Sequence, residues 1–145
     1  MATALLLHPA GATAYDEILK TQRVKVGEKG PVTETLEKPR EEGRETVLVL
    51  FPNPTRCRGC DMMTAAMDEA AKKHPDVAFV MLGGGAARDE MDEETTIVRR
   101  LYGFVPTGEA MAFFIDYKGV IRKITTGPFN GPALEGMLEN LKWAD

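Results

Sequence analysis

The chain holds two cysteines, separated by two residues, in Cys57-Arg58-Gly59-Cys60. Sulfurs at that spacing can cycle between dithiol and disulfide, ligate a metal, or sit inert in a core. The surrounding residues favour cycling. A continuous apolar and β-branched run, Thr46-Val47-Leu48-Val49-Leu50-Phe51, stops at Pro52 and Pro54 just before the pair, and a helical pattern follows. A thiolate at Cys57 would therefore meet a helix start, where backbone N–H groups lack internal partners and the dipole leaves partial positive charge. Arg56 and Arg58 add two guanidinium groups. Each effect lowers the thiol pKa and raises the share of the nucleophilic form at neutral pH. Cys60, one helical turn along, is placed to resolve a mixed disulfide on Cys57. A structural zinc site needs two more ligands at suitable spacing. His74 lies 14 residues beyond Cys60, His8 is far towards the N-terminus, and no closely spaced histidine pair exists. No metal ligand set and no cofactor are expected; structural zinc and a pair of buried, inert cysteines stay as alternatives.

The elements that must position the pair are ordinary globular ones. The 145 residues are 43% apolar and 28% charged, enough for a single domain with a packed core and no disulfide framework. No apolar run approaches the ~18 residues of a membrane span. The net charge of −4 argues against a nucleic-acid partner, which calls for a basic face. Residues 1–20 are expected to be a leader or extension and 21–145 the domain. Ala4–Leu7 is short and no basic residue precedes it, so it lacks the marks of a secretory signal. A cytoplasmic location is expected, with periplasm or secretion as the alternative.

The pattern predicts a helical turn at Asp16–Lys20, a short strand at Val24–Val26, and a charged loop up to Glu45. That loop holds a short helix around Thr33–Glu42, which Pro39 would start or bend. Thr46–Phe51 reads as a strand covered on both faces. Cys57–Lys73 reads as a helix with Met63, Ala66, Met67, Ala70 and Ala71 on one stripe. Val77–Leu82 is a second buried strand and Glu90–Tyr102 a helix ended by Gly103. Met111–Ile115 and Val120–Ile124 form a hairpin through Asp116–Gly119. A last helix opens at Asn130-Gly131-Pro132 and buries Leu134, Leu138 and Leu141. The first two strands, joined through a helix, should be parallel. The fold class is α/β, with helices on both faces of the sheet.

From Val47 to Leu141, about two-thirds of its length, the chain resembles the thioredoxin-like superfamily. The likeness is carried by V-L-V-L-F, then C-R-G-C, then the helix M-M-T-A-A-M-D-E-A-A. It continues through Tyr102-Gly103, F-F-I-D-Y-K-G-V-I at Phe113–Ile121, and the T-G-P-F-N-G-P-A-L-E-G-M-L-E-N-L tail. It implies a three-layer α/β/α fold with a mixed sheet and a C-terminal β-hairpin plus helix. It implies a thiol–disulfide oxidoreductase in which Cys57 attacks and Cys60 releases the product. Partners would be protein disulfides and a separate redox partner, because no nucleotide or flavin motif is present. A monomer is expected, with no membrane partner.

Against the family pattern, Arg56 replaces the usual Trp, Arg58-Gly59 replaces Gly-Pro, and Leu50 stands where a buried acid is common. Trp143, the only tryptophan, reads as a packing residue. The family also places a cis-proline opposite the cysteines. Val105-Pro106 has the right local sequence, whereas counting back from Gly119 points to Ala110. Met62, Val105, Pro106 and Ala110 are the candidate substrate-facing residues. Arg56 and Arg58 stabilise the reduced form, which predicts a potential above the roughly −270 mV of thioredoxin. Two other readings of the pair stay open: a metal- or iron–sulfur-binding module, dimeric with two cysteines from each chain, and a non-catalytic interaction protein on the same fold. Gly83-Gly84-Gly85 lacks the phosphate-loop pattern and reads as a flexible connection. The methionines read as core or docking residues, and the acidic run Asp89–Glu94 as a solvated helix start.

Overall fold

A computed structural model describes residues 23–52, 57, 59–83, 93–104 and 109–142. In chain order these form α1 (Glu34–Glu41), β1 (Thr46–Leu50), α2 (Cys60–Lys73), β2 (Ala78–Leu82), α3 (Glu93–Tyr102), β3 (Met111–Ile115), β4 (Ile121–Thr126) and α4 (Gly131–Lys142). Among the described residues the sheet has four strands in the order β2-β1-β3-β4. β2 runs parallel to β1 and pairs Val47 with Phe79. β3 is antiparallel to β1, pairing Val47 with Phe114. β4 returns antiparallel along β3, with an irregularity at Phe114/Ile115.

The two-residue period of a strand divides the core into two layers. Val47, Val49, Phe51, Ala112 and Phe114 face one side, where Met63, Ala66, Met67 and Ala70 of α2 and Leu134, Leu138 and Leu141 of α4 cover them. Leu48, Leu50, Met111, Phe113 and Ile115 face the other side, under Val98 and Tyr102 of α3, Leu36 of α1 and Val24. Every residue of β1 and β3 is buried, which is why both read as unbroken apolar runs. The result is the three-layer α/β/α architecture with a mixed sheet.

Several expectations change. Val24–Val26 is not a strand: Val24 is buried, but Val26 is 58% exposed as the chain turns at Gly27. β2 lies at the edge of the described sheet, so only Ala78 is fully buried and its other four residues are half-buried. Ala71 faces solvent rather than the stripe. Pro39 sits inside α1 rather than at its start, with its ring buried. The Asp16–Lys20 turn and Trp143 lie outside the described residues.

The end of the sheet away from the cysteines is tied by hydrogen bonds. Asp116 accepts from the Lys118 and Val120 N–H groups at 2.9 and 3.0 Å and from Arg122 Nε at 2.6 Å. Burial pushes its pKa up, but these donors outweigh burial and the net shift is downward. Gly27 N–H donates to the Ile121 carbonyl and Gly30 N–H to the Gly119 carbonyl. Arg40 Nη2 donates to the Gly30 carbonyl at 2.8 Å. Tyr102 stacks edge-on to Phe113 at 5.0 Å and donates to the Pro31 carbonyl at 2.6 Å.

Candidate functional site

β1 and β2 point their C-terminal ends at the cysteines. Phe51 N–H donates to the Leu82 carbonyl at 2.9 Å, extending the pairing one residue past β1. Cys57 and Cys60 are joined as a disulfide with Cα atoms 5.6 Å apart, within the usual range for a bridge. Both are half-buried and pack on the α2/α4 side of the core.

Cys60, not Cys57, is the first residue of α2, which corrects the expected start of this helix. The cause is Gly59, whose φ of +77° and ψ of 9° are left-handed and break helical continuity. Gly59 is the N-cap, and its carbonyl accepts the Met63 N–H at 3.0 Å. Thr64 Oγ1 donates to the Cys60 carbonyl at 2.9 Å. Cys57 thus precedes the helix by three residues. It remains beside the N-terminal turn, whose first N–H groups have no partner within the helix.

A second segment closes on the pair. A Cβ added to Gly59 would lie 2.5 Å from Pro128 Cβ and 3.8 Å from Met62 Cε. Pro128 is exposed, and Met62 is 45% exposed, so both flank the disulfide turn at the surface. Gly127 N–H donates to the Ala110 carbonyl at 2.9 Å, and the Glu109 carboxylate lies over Gly127. Ala110 is buried in the same core cluster on which the two cysteines pack. The structure therefore places Met62 beside the Cys57–Cys60 turn and joins Ala110, through Gly127, to the segment that closes on that turn. Arg56, Arg58, Val105 and Pro106 lie outside the described residues. Pro128 and Gly127 were not anticipated; the Thr126-Gly127-Pro128 step after the last strand is the signal that marks them.

Leu50 is fully buried and faces the α3 side of the core, so this strand position supplies no carboxylate. Among the described residues no group of three His, Cys, Asp or Glu side chains could hold a metal ion. His74 is engaged elsewhere, with Nε2 2.8 Å from Glu135 Oε1.

Fold and site together define a thioredoxin-like α/β domain carrying a CxxC disulfide. Of the similar solved structures, two are thiol:disulfide interchange proteins by name and one a desulfothioredoxin. A putative thiol:disulfide interchange protein DsbE from Chlorobium tepidum is 19% identical with a TM-score of 0.61, covering 82% of this chain and 96% of its own. Desulfothioredoxin from Desulfovibrio vulgaris Hildenborough, in its reduced form, is 19% identical with a TM-score of 0.52, covering 80% and 99%. A thioredoxin-family thiol:disulfide interchange protein from Chlorobium tepidum TLS is 16% identical with a TM-score of 0.59, covering 81% and 98%. No protein-family model matches the chain, and no curated protein sequence matches it.

Proposed function

We propose that the chain is a thiol–disulfide oxidoreductase acting on protein disulfides through Cys57 and Cys60. The observation that carries this reading is the Cys57–Cys60 disulfide itself, at the start of α2 and flanked by the exposed Met62 and Pro128. The names of the similar structures support it.

In the reducing direction the Cys57 thiolate attacks one sulfur of a substrate disulfide. A Cys57–substrate disulfide forms, and the other substrate sulfur leaves as a thiolate that takes up a proton. The Cys60 thiolate then attacks the Cys57 sulfur, and the second substrate sulfur leaves and is protonated. The substrate has gained two electrons and two protons, and Cys57–Cys60 is oxidised. A separate dithiol reductant returns the two electrons. Run backwards, the same steps oxidise a substrate dithiol. Met62 and Pro128 supply an apolar rim for the substrate, while the fully buried Ala110 anchors the Gly127-Pro128 segment through its carbonyl. Val105 and Pro106 are further substrate-binding residues of this reading, and Arg56 and Arg58 supply the charge that favours the Cys57 thiolate. The protein works as a monomer in the cytoplasm.

The test is catalysed reduction of insulin disulfides by dithiothreitol. Cys57→Ser abolishes it, and Cys60→Ser, mixed in reduced form with a disulfide substrate in the absence of reductant, accumulates mixed disulfides that dithiothreitol then releases. Full activity in Cys57→Ser would overturn the reading.

A further inference from the structure

We propose that Arg99 is a positioning residue for the redox pair: a charge fixed at the C-terminal ends of β1 and β2 that raises the reduction potential of Cys57–Cys60. This rests on the redox reading above and specifies what tunes it.

Arg99 reaches up from the last turn of α3, and its Nη2 donates to the carbonyl of Phe51. Phe51 is the residue that β2 holds through the Leu82 carbonyl, just before the chain departs towards Cys57. The guanidinium lies 4.5 Å over the Phe104 ring. It also lies against Gly83, where a Cβ would come within 2.8 Å of Nη2 and 3.0 Å of the Phe51 oxygen. Glycine at φ +88° is what leaves room for the charge. Arg99 Nε is buried without a hydrogen-bond partner, and no carboxylate among the described residues pairs with the group.

A guanidinium in such a place is costly, and burial lowers its pKa. It nevertheless stays charged at neutral pH. Partly buried, it is screened by salt less than a surface charge. The reduced pair carries a thiolate and the oxidised pair carries no charge, so a fixed cation stabilises the reduced form selectively. That makes the couple more oxidising. Leu50, next in sequence to Phe51, offers no negative charge to cancel it. Three contacts hold the group at this end of the sheet, so the charge keeps a constant relation to the strand that delivers the pair.

The experiment is equilibration of the full chain with glutathione redox buffers, reading the reduced fraction by thiol alkylation, for the parent, Arg99→Gln, Arg99→Met and Arg99→Lys. Gln retains a donor for the Phe51 carbonyl without the charge. Met retains the apolar stem without a polar group, and it serves if the Gln variant does not fold. Lys retains the charge. Gln and Met should lower the equilibrium constant for oxidising glutathione about three- to tenfold, ~15–30 mV at ~30 mV per decade. Lys should stay within about twofold of the parent. Unchanged equilibria in the folded Gln or Met variant, or an equal shift in Lys, overturn the inference and leave the redox reading standing. A parent pair that does not exchange with glutathione overturns both.

Discussion

Gly59 is pressed against Pro128: this position of the turn between the cysteines has no room for a side chain, because the segment after β4 occupies the space one would fill. Gly59→Ala therefore meets two obstacles. The left-handed φ of +77° costs an L-residue ~1–2 kcal/mol, and overpacking against the Pro128 ring adds ~1–3 kcal/mol. We expect a urea midpoint lowered by the equivalent of ~2–5 kcal/mol. Pro128→Gly in the same background should restore the packing part alone. A Gly59→Ala protein as stable as the parent would show that the turn can move away.

Glu94 caps a helix that is remote in sequence. Its Oε2 accepts from Thr33 Oγ1 at 2.6 Å and from the Thr35 N–H at 2.8 Å, at the first turn of α1. Glu94→Ala should cost ~1–2 kcal/mol, the usual worth of a lost cap. Amide exchange should quicken in residues 34–41, and unchanged exchange there would refute the cap.

Asp116 sets an acid dependence. Its carboxyl titrates below the ordinary value because three donors favour the anion over the opposing effect of burial. A depressed folded pKa gives stability that is present above the unfolded value of ~3.9 and is lost as pH falls through the folded value. Asp116→Asn should be ~1–3 kcal/mol less stable than the parent at neutral pH, with the gap closing below about pH 4. Denaturation curves across pH 2–7 provide the check, and a gap that does not vary with pH would contradict it.

Tyr102 acts at the alkaline end. Burial pushes its phenol up to about 12, with Arg40 opposing weakly. The folded chain then keeps a proton that the unfolded chain releases near ~10, so this contribution is full below that pH and declines as pH rises towards the folded value. Tyr102→Phe leaves the Pro31 carbonyl without its donor and should cost ~1–2 kcal/mol at neutral pH. Its stability should then converge on the parent's above about pH 10.

The strands β1 and β3 were legible because both faces are buried, which writes an uninterrupted apolar run into the sequence. The C-cap at Gly103, the hairpin turn at Asp116–Gly119 and the stripe Leu134, Leu138 and Leu141 were legible for similar local reasons. The start of α2 was not. Periodicity extends back through Cys57, and nothing local reveals that Gly59 adopts a left-handed conformation against a residue about seventy positions on. Edge position hid the half-exposure of β2, since Ala78–Leu82 reads like a central strand. At the site, spacing singled out the cysteines, while counting from the hairpin left Pro106 and Ala110 as rival positions. Pro128 and Arg99 escaped notice because their meaning lies in contacts across the sheet end.

The hydrogen bonds around Asp116, Gly27, Gly30 and Arg40 all gather at the hairpin pole of the domain, opposite the disulfide. This network and the Cys57–Cys60 disulfide thus occupy opposite ends of the strands. Opening or closing the disulfide therefore leaves the hairpin hydrogen bonds untouched.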